Sequence, residues 1–154
     1  MKTLKHSLPI IKQIDDFTCG AVCFASACNY LLGLGLTERQ AGEMLNTYTE
    51  GLTPSLNIVQ SAQKLGLDAE EKIYQTLNDL LKLQQKNSVI FIVWFDEDAR
   101  HYSLLSEINK GHVYLMDPWK ARETEPPQWN QIPIDLFNIY WQICDGKIIV
   151  LKKI

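Results

Sequence analysis

QIDDFTCGAVC, residues 13–23, places Cys19 at the predicted start of a long apolar helix. The backbone N–H groups of a helix's first turn have no partners within the helix, and the helix dipole is positive at that end. Both effects stabilise a thiolate, which is the nucleophilic form of cysteine. The side-chain amide of Gln13 is a candidate donor to a negatively charged oxygen near the sulfur. The stretch therefore predicts nucleophilic chemistry at Cys19.

The first half of the chain is predicted to be helical. Small and apolar residues continue from Cys19 to Leu32 on nearly every face, and Gly33 ends the run, which is typical of a buried central helix. The residues after Thr37 have a capping-box pattern that predicts a second helix, and Gly66 is a stop signal for the third. The further helices are predicted over residues 37–47, 56–65 and 77–85.

The second half is predicted to form strands. Residues 88–95 are a continuous β-branched and aromatic run, which indicates a buried strand. Residues 101–108 and 112–116 flank the turn residues Asn109-Lys110-Gly111 and predict a hairpin. A short helix is expected over 134–140, a last strand over 147–152, and a polar surface loop over 120–130. Helices followed by an antiparallel sheet predict an α+β fold, with the Cys19 helix packed on the sheet.

The composition limits the classes of function. A length of 154 residues predicts one domain, 1–154, and a net charge of −3 argues against nucleic-acid binding. No run of apolar residues is long enough for a membrane span or a signal peptide, so a cytoplasmic protein is expected. The four cysteines, which are Cys19, Cys23, Cys28 and Cys144, lack the spacing of a zinc site. We expect no metal and no organic cofactor.

A base for the thiol is predicted at the head of a strand. His101 begins an apolar strand after an acidic loop, where a side chain can project toward a facing helix N-terminus. Asp117 ends the returning strand of the hairpin, where a carboxylate can accept the imidazole N–H and select its tautomer. His112 is an alternative base, and Asp96 and Asp98 are alternative carboxylates.

These motifs together resemble the peptidase C39 family, a papain-like group of bacterial cysteine peptidases. The family pattern Q-x-D-x-x-x-C-G-x-x-C is present in residues 13–23, and the other motifs follow in the family's order. The matching positions are Gln13, Asp15, Cys19, Gly20 and Cys23, the pairs His101-Tyr102 and Asp117-Pro118, and the segments 51–56, 137–141 and 147–151.

The resemblance implies a papain-like cysteine peptidase fold, with Cys19 as nucleophile and His101 as base. It further implies Asp117 as the carboxylate that orients the base and Gln13 as the oxyanion donor. The implied substrate is a peptide or protein, in many members a bacteriocin-type leader that is cleaved after a double glycine. An exporter or secretion system is the implied partner, because many members are domains of ABC exporters. This chain has no phosphate-binding G-x-x-x-x-G-K-[ST] motif, which predicts that it is not a complete exporter.

Three other interpretations use the same residues. A thioester at Cys19 also permits deamidation or cross-linking of glutamine, as in a toxin-like effector. A C39-like module can instead bind its substrate without cleaving it. Reversible oxidation of Cys19 with Cys23, one helical turn away, would make a redox sensor.

Trp119 is a candidate to line the cleft or to cover His101 and Asp117 from water.

Overall fold

The computed structural model describes residues 8–13, 18–47, 53–84, 87–96, 99–123 and 129–154. Within these ranges, six strands form one antiparallel sheet in the order β1-β6-β2-β3-β4-β5, and six helices accompany it. The strands are β1 (Leu67–Lys72), β2 (Ser88–Asp96), β3 (Ala99–Asn109), β4 (His112–Met116), β5 (Asn130–Pro133) and β6 (Ile148–Lys153). The helices are α1 (Cys19–Leu32), α2 (Glu38–Met44), α3 (Ser55–Lys64), α4 (Leu77–Leu83), α5 (Pro118–Glu123) and α6 (Ile134–Gln142).

Helix α1 is the buried centre of the molecule, as its all-round apolar sequence predicts. Ten of its 14 residues are buried, and it packs against α2 and β3. The helix ends at Gly33, which has a left-handed φ of 67° and donates its N–H to the carbonyl of Asn29. None of the helices in the described ranges is long and apolar enough to cross a membrane.

Helices cover both faces of the sheet and create two hydrophobic cores. Phe91 and Leu104 belong to the core shared with α1, α2 and α3, whereas Ile92 and Leu105 belong to the core shared with α4 and α6. Because β2 is buried on both faces, residues 89–94 are apolar at every position and do not alternate with polar residues.

The α+β fold predicted from the sequence is confirmed, and so are most of its elements. The capping box at the start of α2 is present: the hydroxyl of Thr37 accepts the N–H of Gln40, whose side chain accepts the N–H of Thr37. The hairpin is also as predicted, with Lys110 and Gly111 both at positive φ in the two-residue turn between β3 and β4.

The expectation that all strands follow the helices is wrong at β1. This strand lies between α3 and α4 and pairs with β6 at the edge of the sheet. Its sequence, LDAEEK, is mostly polar, and only Leu67 and Ala69 are buried. A short edge strand with two buried residues gives only a weak alternation of apolar and polar residues, so it is not recognised from the sequence.

The predicted surface loop over residues 120–130 is wrong at both ends. Asp117 starts α5, because its side-chain Oδ1 accepts the N–H of Trp119 at 3.0 Å and its carbonyl accepts the N–H of Ala121 at 2.9 Å. Pro118 suits the first helical position because it has no N–H to satisfy. At the other end, β5 begins at Asn130 and pairs with β4. The prolines of this stretch, Pro126 and Pro127, lie outside the described residues.

Candidate active site

Cys19 is the first residue of α1, so its sulfur lies at the helix end where the backbone N–H groups have no helical partners. It is partly exposed, whereas Cys23, Cys28 and Cys144 are buried. Cys19 is therefore the cysteine that a molecule in solution can reach.

Gly20 allows a close contact directly beside Cys19. A Cβ atom at Gly20 would lie 2.8 Å from Cβ of Thr53 and 3.2 Å from Cδ2 of Tyr102. The hydroxyl of Tyr102 in turn donates to the carbonyl of Thr53 at 3.0 Å, and Thr53 shares a 2.7 Å hydrogen bond with the hydroxyl of Thr47. Only glycine fits this position without moving its neighbours, which accounts for the Cys-Gly pair of the motif.

His101 and Asp117 form a buried pair. His101 Nε2 is hydrogen-bonded to Oδ1 of Asp117, and the two residues are 9% and 1% exposed. The backbone N–H groups of Trp119 and Lys120 also donate to Oδ1, at 3.0 and 3.4 Å, and the side chain of Asn130 donates to Oδ2 at 3.0 Å. Asp117 is thus held by the start of α5, by β5 and by the imidazole at once.

The electrostatics favour a charged pair at neutral pH. Burial alone lowers the pKa of His101, but hydrogen bonds to Asp117 and Cys19, and the charges of these two groups, raise it to about 10. Burial alone raises the pKa of Asp117, but the hydrogen bond and charge of His101, and then the hydrogen bonds from Asn130 and Lys120, lower it. Cys19 lies close enough to the imidazole to contribute to the raised pKa of His101. The structure therefore brings the three predicted residues together.

A bulge in β3 brings Asp117 to the same face of the sheet as His101. The register between β3 and β4 shifts at Ser106, and beyond this shift Leu104 lies opposite Met116. Leu104 and Met116 belong to the core beside α1, so the next residue, Asp117, alternates to the face of His101. If the register of the turn end continued without a bulge, Asp117 would lie opposite Leu104, and His101 and Asp117 would be on opposite faces of the sheet.

Trp94 supports the imidazole from the neighbouring strand. It lies opposite His101 in the pairing of β2 with β3, with ring centroids 6.1 Å apart. Its indole is 2% exposed, and Nε1 donates to the hydroxyl of Ser103 at 3.0 Å, which fixes its orientation. The indole therefore packs against the His101 ring and excludes water from that side.

Gln13 lies beside the start of α5. Its backbone N–H donates to the carbonyl of Pro118 at 3.3 Å, and the residue is 2% exposed. Because Pro118 follows Asp117, this contact brings the segment that precedes α1 next to the His101–Asp117 pair. The role of the Gln13 amide as an oxyanion donor remains a prediction.

The alternative residues are placed differently. His112 lies at the turn end of the hairpin, opposite Asn109, and its Nδ1 is 3.2 Å from the carbonyl of Lys110. It is therefore at the far end of β3 from His101. Asp98 lies outside the described residues, and Asp96 is the last residue of β2. Trp119 is 37% exposed and remains a candidate to cover the pair.

Cys23 is a poor partner for Cys19 in a redox reaction. Burial, and then the charges of Cys19 and Asp117, raise the pKa of the Cys23 thiol well above its usual value. The thiol is 3.5 Å from the carbonyl of Tyr102, to which it donates.

The described residues contain no group of three or more His, Cys, Asp or Glu that could hold a metal ion.

Two residues of the site, Trp94 and Asn130, escape sequence analysis. In the sequence, nothing distinguishes Trp94 from the other apolar residues of β2. Asn130 follows a polar stretch, and no local motif connects it with Asp117. Only the pairing of β5 with β4, where Asn130 lies opposite Leu115, brings it near that carboxylate. Knowledge of the strand register is the signal that would have found both residues.

Comparisons with known proteins agree with the fold. Residues 7–141 match the model of the peptidase C39 family. The peptidase domain of Streptococcus ComA, a bi-functional ABC transporter involved in a quorum-sensing pathway, is 23% identical, with a TM-score of 0.76 over 97% of this chain and 100% of that chain. A double glycine motif protease from an AMS/PCAT transporter, solved with the leader peptide, is 20% identical, with a TM-score of 0.74 over 100% and 99% of the two chains.

A third solved structure, the peptidase domain of Streptococcus mutans ComA, is 20% identical, with a TM-score of 0.61 over 95% of this chain and 98% of that chain. No curated protein matches the chain. At these identities the solved structures show a shared papain-like fold, and the family model covers most of the sequence. The chain belongs to the peptidase C39 family.

Proposed function

We propose that this protein is a cysteine peptidase in which Cys19 is the nucleophile, His101 the acid and base, and Asp117 the carboxylate that orients His101. The observation that carries the proposal is the buried, hydrogen-bonded pair of His101 and Asp117, with Cys19 beside the imidazole at the N-terminus of a buried helix. We further propose that residues 1–154 act as one such peptidase domain.

The first half of the reaction forms a thioester. The Cys19 thiolate attacks the carbonyl carbon of the scissile peptide bond, and the carbonyl oxygen becomes an oxyanion. The Gln13 amide and the backbone N–H of Cys19 are the proposed donors to this oxyanion. As the C–N bond breaks, His101 gives its proton to the leaving amine and becomes neutral.

The second half releases the acyl group. Neutral His101 takes a proton from a water molecule, which attacks the thioester carbonyl. Collapse of the second tetrahedral intermediate breaks the C–S bond and frees a carboxylic acid and the Cys19 thiolate. The proton stays on His101, so the imidazolium–thiolate pair is restored. Asp117 favours each step that places positive charge on the ring.

The proposed substrate is a peptide that is cleaved after a Gly-Gly sequence, on the cytoplasmic side and before export. Support comes from the similar protease that was solved with a leader peptide, and from the ComA domain, which belongs to an ABC transporter. An exporter or secretion system is the corresponding proposed partner. A channel that is narrow beside Cys19 would admit glycine and reject larger side chains sterically.

A synthetic peptide with one central Gly-Gly tests both the activity and its specificity. We expect mass spectrometry to find one cut, after the second glycine. Replacement of that glycine by valine in a matched peptide should lower kcat/KM by roughly 10- to 200-fold. Equal cleavage of the two peptides would contradict the specificity. A gain of one dalton at glutamine, or binding without any product, would favour a deamidase or a docking module and contradict the peptidase.

A further inference from the structure

Both oxygens of the Asp117 carboxylate accept hydrogen bonds, and their donors come from different parts of the chain. Oδ1 accepts from the His101 ring and from two backbone N–H groups at the start of α5. Oδ2 accepts from Nδ2 of Asn130 at 3.0 Å. Asp117 is 1% exposed, so the protein must supply these partners in place of bulk water. The Asn130 amide is thus what holds the second oxygen.

The placement of Asn130 depends on the edge strand β5. Asn130 is its first residue and lies opposite Leu115, two residues before Asp117 on β4. It is partly exposed, and its neighbour Gln131 is exposed. Burial acts to raise the pKa of Asp117, and the Asn130 hydrogen bond is one of the contacts that lower it. Asn130 therefore reaches the site from the surface side and favours the ionised carboxylate.

We propose that Asn130 is a positioning residue: its amide fixes the rotation of the Asp117 carboxylate so that Oδ1 stays aligned with Nε2 of His101. The hydrogen bond of the Asn130 side chain is with Asp117, and in this proposal Asn130 acts through that carboxylate. The inference rests on the proposed function for its catalytic consequence. Its structural part, the effect of Asn130 on the His101–Asp117 bond, can be measured without any activity.

Asn130→Ala removes the amide and should lower kcat by up to about 100-fold, the order of loss that a small misplacement of the catalytic groups can cause. KM should remain unchanged, because Asn130 does not touch the substrate in this proposal. Gln131→Ala is the matched control on the same strand and should retain wild-type kcat. Circular dichroism and thermal unfolding would establish that each variant is folded.

Asn130→Asp keeps the shape of the side chain but replaces the amide with a group that titrates. The effect of this substitution on kcat should therefore depend on pH. The new carboxyl faces Asp117, and two carboxyl groups in contact raise the pKa of one of them. While that group is protonated, it donates a hydrogen bond to Asp117 as the amide does. As the pH rises and it ionises, the two carboxylates repel each other. The ratio of variant to wild-type kcat should therefore fall with rising pH, whereas Gln131→Asp should give a constant ratio.

The proton between His101 and Asp117 gives a readout that needs no substrate. We expect its NMR signal, downfield of the other imidazole N–H signals, to shift or broaden in Asn130→Ala and to be unchanged in Gln131→Ala. If folded Asn130 variants keep the wild-type signal, kcat and pH profile, the positioning role is wrong. If the signal moves while the wild-type protein cleaves no peptide, the proposed function fails and the role of Asn130 in holding Asp117 stands.

Discussion

Replacing Cys19 by alanine should abolish peptide cleavage, with a loss in kcat/KM of roughly 10⁴-fold or more. No other cysteine is placed to replace the sulfur as nucleophile, because Cys23, Cys28 and Cys144 are buried. The fold should remain intact, because Cys19 is partly exposed at the helix start and alanine suits a helix. The measurement is the rate of cleavage of the Gly-Gly peptide, with Tm as the check on folding.

The matched control for this variant is Cys144→Ala. Cys144 lies in the turn between α6 and β6, and the same chemical change there should leave kcat/KM close to the wild-type value. A Cys19→Ala protein that still cleaves the peptide would contradict the nucleophile assignment. If it instead retains its full biological effect while cleaving nothing, the protein acts by binding.

Replacing Asp117 by asparagine should lower kcat by about 10⁴-fold. The amide keeps the size of the side chain and can still accept the N–H of Trp119, so the cap of α5 survives. It carries no charge, however, and the buried His101 ring loses the group that favours its protonation. The imidazolium that donates to the leaving amine is then less populated at neutral pH. Steady-state kinetics on the Gly-Gly peptide would measure the loss.

The same variant should change how stability depends on pH. The pKa of His101 is raised from 6.5 to about 10, so its contribution to stability is complete below 6.5 and is lost as the pH rises through about 10. The pKa of Asp117 is lowered from 3.8, so its contribution is complete above 3.8 and is lost as the pH falls through the lowered value. In Asp117→Asn, the decline between pH 6.5 and about 10 should therefore weaken or disappear.

Urea unfolding at a series of pH values would measure this difference. The matched control is Asp68→Asn, which makes the same change at an exposed position of β1. Titration of groups far from Asp117 is common to all three proteins and cancels in the comparison. An Asp117→Asn protein with the wild-type decline would contradict the linkage between His101 and Asp117.

The parts of the fold that the sequence predicts are those with strong local signals. The all-round apolar run of α1, the capping box at Thr37 and the unbroken apolar strand β2 each have a pattern that few alternatives share. The Asn109-Lys110-Gly111 turn also determines which strands pair. The predicted α1 and hairpin made Cys19, His101 and Asp117 candidates, and the resemblance to the peptidase C39 family selected them over His112, Asp96 and Asp98.

The parts that the sequence misses depend on long-range pairing. The short edge strands β1 and β5 are stabilised by neighbours on one side only and carry few apolar residues. The bulge at Ser106 puts His101 and Asp117 on the same face of the sheet, yet a single extra residue leaves no recognisable pattern in the sequence. The contact of Asn130 with Asp117 depends on the position of β5, so no local motif could reveal it.

The alkylation rate of Cys19 across pH tests most directly whether a thiolate is paired with His101. Iodoacetamide would be applied to the wild type and to His101→Ala, and peptide mass spectrometry would assign each modified cysteine. We predict that wild-type Cys19 reacts rapidly, at a nearly constant rate from about pH 6 to about pH 8.5, and that His101→Ala loses this reactivity at the acidic end. The pairing would be contradicted if wild-type Cys19 reacted as an ordinary thiol. Its alkylation rate would then climb steadily toward about pH 8.5 and would be unaffected by His101→Ala.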